Sequence, residues 1–141
     1  MKYQKLQIFT DGGARGNPGP GGIGAIAYAP DKSVVFTVSE FLGVCTNNQA
    51  EYKAVIAALK KAKELGAAEL EFFLDSELVV KQINREYKVK NEDLGPLFLQ
   101  VYNLTLAFKK VKFSHIRREM NKEADRLANE AMDRGNNAVT Y

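Results

Sequence analysis

Apolar and polar positions alternate along Lys5–Asp11, with Leu6, Ile8 and Thr10 on one side and Gln7, Phe9 and Asp11 on the other. A period of two with bulk on both faces predicts a central β-strand. Ile23–Ala29 and Ser33–Phe41 predict two further strands joined by the turn-forming Pro30-Asp31-Lys32, which makes an antiparallel meander. Between the first two lies the glycine- and proline-rich Gly12–Gly22, which predicts a wide hairpin connection. It lacks the patterns of the P-loop and of dinucleotide folds, which argues against mononucleotide binding. The period then lengthens. Thr46-Asn47-Asn48-Gln49 has the form of a capping box, and Gly66 marks a helix end. Between them Ala54, Val55, Ala58, Leu59, Ala62 and Leu65 form an apolar stripe, with Lys53, Lys60, Lys61 and Lys63 facing away.

Glu69–Asp75 returns to alternation, with Leu70, Phe72 and Leu74 on one face. Ser76 then caps a short helix whose buried side is read as Leu78, Val79, Ile83 and Tyr87. Pro96 stands near the start of a helix reaching about Phe108, with Leu97, Val101, Leu104 and Phe108 at helical spacing. Val111–Arg117 is a fifth strand in which Val111, Phe113 and His115 alternate, so His115 reads as structural. Asn121 is read as the cap of a last helix with Ala124, Leu127, Ala128 and Ala131 inward. A helix between the meander and the fourth strand is a crossover, and the simplest arrangement pairs the first and fourth strands in parallel. The expected organisation is one α/β domain, residues 1–134, with 135–141 as a flexible C-terminal tail.

Composition narrows this picture. A chain of 141 residues, 45% hydrophobic and 26% charged, fits one domain around one core. No run approaches the roughly 18 apolar residues of a membrane span, and no apolar leader precedes the first strand, so a soluble cytoplasmic protein is expected. Cys45 is the only cysteine, which excludes an intramolecular disulfide, and one histidine beside it makes zinc improbable. The net charge of +3 permits a nucleic-acid partner. With no tryptophan and no dense arginine tract, that partner would be gripped by an arranged surface and not by a basic arm.

Four carboxylates stand where strands end or helices begin: Asp11, Glu51, Asp75 and Asp125. Parallel pairing of the first and fourth strands puts Asp11 and Asp75 at one sheet edge, where open α/β sheets build their sites. Glu51 falls on the apolar stripe of its helix, where burial is costly unless it is paired or bound to a cation. A carboxylate cluster with little His or Cys is the donor set of Mg²⁺, and Mn²⁺ is an alternative. Two such ions about 3.5–4 Å apart support in-line phosphodiester displacement.

These fragments, in order, resemble type 1 ribonuclease H. The resemblance runs from Leu6 to Met132 through Ile8-Phe9-Thr10-Asp11-Gly12-Gly13, Gly16-Asn17-Pro18-Gly19-Pro20-Gly21-Gly22, Thr46-Asn47-Asn48-Gln49-Ala50-Glu51, Asp75-Ser76 and Glu123-Ala124-Asp125-Arg126-Leu127-Ala128. It implies a ribonuclease H-like fold, a five-stranded mixed sheet in the order 3-2-1-4-5 flanked by helices. It also implies that Asp11, Glu51, Asp75 and Asp125 are the catalytic metal ligands, with Asp11 shared between two Mg²⁺ ions. The implied activity is endonucleolytic hydrolysis of the RNA strand of an RNA/DNA hybrid, leaving 5′-phosphate and 3′-hydroxyl ends. By motif position Gly12, Ala14, Asn17, Asn47 and Asn48 resemble substrate contacts, and Asn17 and Asn48 read equally well as turn and cap residues. No protein partner is implied, and a monomer is expected. The competing readings are a silent hybrid- or RNA-binding module and a two-metal nuclease that also cuts double-stranded RNA.

The chain departs from the family pattern in three places. Asn84–Leu97 is too short for the basic, tryptophan-containing handle of many bacterial members; Lys81, Arg85, Lys88 and Lys90 either replace it in part or are a solvated face. Glu77 stands where many relatives have a glutamine, and an ionised carboxylate cannot donate a hydrogen bond. The loop before Asp125 has no histidine, which leaves Arg118 as the local group able to stabilise phosphate charge, though not to act as a base at neutral pH. Surface charge is the other reading of Arg118. The compact form resembles archaeal and some bacterial branches of the family.

Overall fold

The computed structural model describes residues 3–139. Its elements are β1 (Lys5–Ala14), β2 (Gly19–Tyr28), β3 (Val34–Cys45), α1 (Asn47–Glu64), β4 (Glu69–Leu74), α2 (Glu77–Ile83), α3 (Gly95–Thr105), β5 (Lys110–His115) and α4 (Lys122–Val139), with one 3-10 turn at Arg118–Met120. The five strands form one sheet in the order β3-β2-β1-β4-β5. β1 to β3 are antiparallel neighbours, while β1–β4 and β4–β5 pair in parallel. This is the mixed sheet expected from the sequence. Thr10 lies beside Leu74 across the parallel pair, so Asp11 and Asp75 follow at the same edge.

The glycine-rich stretch is where expectation and structure part. It is mostly strand and not a wide loop: β1 continues to Ala14, β2 begins at Gly19, and Gly12↔Ile23, Gly13↔Gly22 and Ala14↔Gly21 are paired. Only Arg15–Pro18 lies outside the two strands. The glycines serve packing on both faces. A Cβ on Gly12 would collide with the Ala50 carbonyl of α1, and a Cβ on Gly24 would collide with the Ala124 carbonyl of α4. Two helices therefore approach the sheet more closely than side chains would permit.

α1 lies on β1, and α4 lies across β2. α1 is anchored by the predicted capping box: Gln49 N–H donates to Thr46 Oγ1 (3.1 Å), and Thr46 N–H donates to Gln49 Oε1 (2.9 Å). Its stripe closes on Leu6, Ile8, Leu70 and Phe72, all within the core. Cys45 is buried, as expected of a structural thiol.

Three smaller expectations are corrected. Leu78 and Tyr87 are exposed, and the inward face of α2 is Val79, Val80 and Gln82. Gln82 turns in because its Oε1 accepts from the buried Tyr52 hydroxyl at 2.7 Å. In α3 only Val101 is buried; Leu97, Leu104 and Phe108 pack at the margin of the core. α4 does not stop at Gly135 but continues to Val139, because Gly135 is seated against the Phe41 ring and Arg134 donates to the Ser39 carbonyl (2.7 Å). The expected tail thus begins inside a helix, and its last two residues lie outside the described residues. Among the described residues, no helix is long and apolar enough to cross a membrane.

If close helix approach sets the architecture, Gly24→Ala should be costly although it adds one methyl group. Overpacking of this kind costs about 1–3 kcal/mol. Urea unfolding should give an unfolding free energy lower by that amount, seen as a lower midpoint at an unchanged slope, and an unchanged midpoint would refute the assignment.

Candidate active site

Each acidic side chain reaches the site by a different local device. Asp11 is carried on β1 opposite Gly24 and is 9% exposed. Asp75 immediately follows β4, at the point where Ser76 turns the chain into α2 by accepting the Val79 N–H (3.3 Å). Glu51 comes from α1 and is 6% exposed; its Oε1 accepts the Gly12 N–H at 2.5 Å. The absent Cβ at Gly12 allows that contact, because α1 could not otherwise come within reach of β1. Gly12, expected from the sequence to open a wide hairpin connection, thus admits a helix of the same chain.

One oxygen from each of Asp11, Glu51 and Asp75 can be chosen so that all lie within 4.8 Å of one another. Asp125, in the first turn of α4, stands outside that triad but lines the same cleft of about 360 Å³. Crowded like charges with little water favour the protonated forms. Asp11 is pushed up to about 7, mainly by burial and then by the neighbouring Asp75 charge. Burial, followed by the charges of Asp11 and Asp75, holds Glu51 well above the usual carboxylate range. Burial also raises Asp75, opposed by the Asn121 amide and the positive charge of Arg118. Such a set fits a hard divalent cation: it supplies oxygen donors alone, and its mutual repulsion is relieved by positive charge at its centre. Asp11, Glu51 and Asp75 would hold the ion, with Asp125 beside them.

The remaining sequence candidates divide. Arg118, Gly12, Ala14, Asn47 and Asn48 line the cleft. Asn17 does not; its Oδ1 accepts the Asn47 N–H (3.0 Å), while Asn47 Oδ1 accepts the Ala14 N–H (2.8 Å). This exchange brackets the β1–β2 turn to the start of α1 and leaves the Asn47 amide NH₂ as the donor edge. Glu77 is exposed and away from the cleft lining. Lys81 and Arg85 lie over Tyr87 (5.2 Å) and Tyr102 (4.7 Å), whereas Lys88 and Lys90 are exposed. His115 is exposed too, at the end of β5 beside Leu74, so it is not the buried structural residue that alternation with Phe113 suggested.

Two residues of consequence escaped the sequence reading. Arg15 pairs with Asp133 and donates to Asn129, which clamps the β1–β2 turn onto α4. Asn121 does not cap α4 with its side chain; Nδ2 donates to the Thr10 carbonyl (2.9 Å) and to Asp75 Oδ2 (3.4 Å). The capping pattern concealed the second role, and nothing local signalled the first.

A 3-2-1-4-5 sheet with carboxylates clustered where its parallel and antiparallel halves meet is the ribonuclease H-like architecture. Comparison with known proteins agrees. The family model described as "Reverse transcriptase-like" matches residues 9–131. The bifunctional protein Rv2228c of Mycobacterium tuberculosis is 45% identical over 130 residues, 92% of this chain and 36% of that protein. Its solved N-terminal RNase H domain superposes with a TM-score of 0.89 at 44% identity, covering 92% of this chain and 99% of that one. RNase H1 of Halobacterium salinarum gives a TM-score of 0.90 at 37% identity, with 92% and 98% covered. LC11-RNase H1, isolated from compost and solved in complex with an RNA/DNA hybrid, gives 0.88 at 40% identity, again with 92% and 98% covered. The chain belongs to the ribonuclease H family. It spans about a third of the length of the mycobacterial relative, 36%.

The raised Asp11 carboxyl has a consequence for stability. Between 3.8 and about 7 the unfolded chain loses a proton that the folded chain retains, so metal-free stability falls as pH rises through that window. Below the window Asp11 contributes nothing, and above it the loss is complete. In chelator at about pH 8, Asp11→Asn should unfold about 3 °C or more above the parent, and the gain should vanish near pH 4. A gain of the same size at both pH values would contradict the assignment.

Proposed function

We propose that this domain is an endonuclease that hydrolyses the RNA strand of RNA/DNA hybrids, with two Mg²⁺ ions held by Asp11, Glu51, Asp75 and Asp125. The observation that carries the reading is the triad of carboxylate oxygens within 4.8 Å of one another, from Asp11 within β1, Asp75 just after β4 and Glu51 on α1. The hybrid complex of LC11-RNase H1, a relative covering 92% of this chain, supports the choice of substrate. When bound, such ions would lower the pKa of an attacking water and stabilise the leaving 3′-oxygen as the P–O3′ bond breaks, which would leave 5′-phosphate and 3′-hydroxyl ends. Mn²⁺ offers the same oxygen preference and is the alternative ion.

The chain's own groups do the rest. Asp11 and Glu51, nearly buried, present their oxygens from a rigid strand–helix junction. Arg118 brings a fixed positive charge to the cleft, suited to a phosphate in the transition state but not to proton transfer at neutral pH. Ribose 2′-hydroxyls mark the RNA strand, and the Asn47 amide and the edge of Asn48 are the side-chain donors lining the cleft that would read them. The Gly12 and Ala14 N–H groups are engaged within the fold, so these two residues would meet substrate through their exposed backbone surface. Lys88 and Lys90 would contribute to the grip on the DNA strand. Every ligand comes from one chain, so a monomer suffices; the cytoplasmic setting expected from the sequence belongs to the same proposal.

Labelled RNA/DNA hybrid, duplex RNA and duplex DNA should be incubated side by side with Mg²⁺. The hybrid's RNA strand should be cut and duplex DNA left whole, and Asp11→Asn should abolish cleavage. Hybrid binding without cleavage would favour a silent binding module, and efficient cutting of duplex RNA would widen the substrate class. Arg118→Ala should lower kcat by about tenfold or more, as expected for loss of a charge-stabilising group. Reversing the charges of Lys88 and Lys90 should weaken hybrid binding and flatten its salt dependence, and an unchanged slope would place the DNA contact elsewhere.

A further inference from the structure

Asn121 is 1% exposed and precedes α4, yet its side chain points back into the sheet. Its Nδ2 donates to the Thr10 carbonyl and to Asp75 Oδ2. Its backbone N–H donates to the Arg118 carbonyl (3.0 Å), and its own carbonyl accepts the Asp125 N–H (3.1 Å). One buried residue therefore touches the position before Asp11, Asp75 itself, the Arg118 turn and Asp125. Both side-chain neighbours are pure acceptors, so only the NH₂ edge of the amide can face them.

The other edge of the amide is informative. Among the described residues Asn121 Oδ1 has no hydrogen-bond partner, and the buried Thr10 Oγ1 has none either. A buried acceptor left without a donor is destabilising. An apolar side chain of similar volume would avoid that cost and still plug the gap between β1 and α4. Packing alone does not account for an amide here; the donor edge does.

We propose that Asn121 is a positioning residue. By holding Asp75 Oδ2, its amide leaves the second oxygen of that carboxylate to turn toward Asp11 and Glu51, and by gripping the Thr10 carbonyl it fixes the gap between β1 and the chain that leaves the end of β4. The inference rests on the nuclease reading above and concerns how that site is kept in register. Groups that orient carboxylates around a metal site are typically worth 10–100-fold in metal affinity or activity.

Asn121→Leu removes the donor at similar volume, and Asn121→Asp keeps the shape but presents oxygen to both acceptors. In each folded variant, kcat on the hybrid should fall about tenfold or more while KM changes less than about twofold, and the Mg²⁺ half-saturation, followed by calorimetry without substrate, should rise about tenfold. Variants that lose thermal stability but keep the parental kcat and Mg²⁺ half-saturation would overturn the proposal and leave Asn121 a merely structural residue. A parent protein that binds Mg²⁺ but does not cut hybrid would sink the nuclease reading, while the calorimetric comparison would still decide the role of Asn121. Should both variants fail to fold, the intact chain provides the test through the Asn121 side-chain amide signals in ¹H–¹⁵N spectra. These should shift on Mg²⁺ addition and in Asp75→Asn; signals unmoved by both would overturn the proposal.

Discussion

The structure is built around an electrostatic conflict. Asp11, Glu51 and Asp75 bring carboxylate oxygens within 4.8 Å of one another at a largely dry sheet edge. Repulsion and desolvation oppose that arrangement, and protonation is the relief open to the protein alone. A fold that keeps such a cluster must hold it rigidly from several directions.

It does so with short-range contacts at the end of the sheet. Parallel pairing of β1 with β4 sets Asp11 beside Asp75, and α1 is drawn against Gly12 until Glu51 can accept its N–H. α4 lies over Gly24 on β2 and brings Asp125 to the cleft. Asn121 ties β1, Asp75 and the start of α4 together, while Arg15 and the Asn17–Asn47–Ala14 exchange secure the turn beside the cleft. The contacts that reach the carboxylates themselves, Gly12 N–H to Glu51 and Asn121 to Thr10 and Asp75, are buried or part-buried, so small displacements there are felt at the site.

Much of this was legible in the sequence. The strands, the α1 capping box and the four carboxylates at element ends are local patterns, and local patterns survive folding. The Asp-Gly-Gly glycines were seen but misread, because glycine suits a turn as readily as a strand under a closely packed helix, and only the helix distinguishes the two. Gln82 is buried because a hydroxyl on α1 recruits its amide oxygen, a partner that periodicity cannot reveal. His115 continued an alternating strand pattern into a position where the sheet edge is open. Asn121 carried a capping signature and spent its side chain elsewhere. What could not be read was pairing across long sequence distances, such as Arg15 with Asp133.

The central claim is that the site is strained by like charge until a cation enters it. Mg²⁺ binding near pH 7 must then expel protons from the raised carboxyls. Calorimetric titration of the metal-free protein with Mg²⁺ in two buffers of different ionisation enthalpy reads this directly. The account predicts different apparent heats, corresponding to release of about one proton or more per binding event. Identical heats in the two buffers would contradict it.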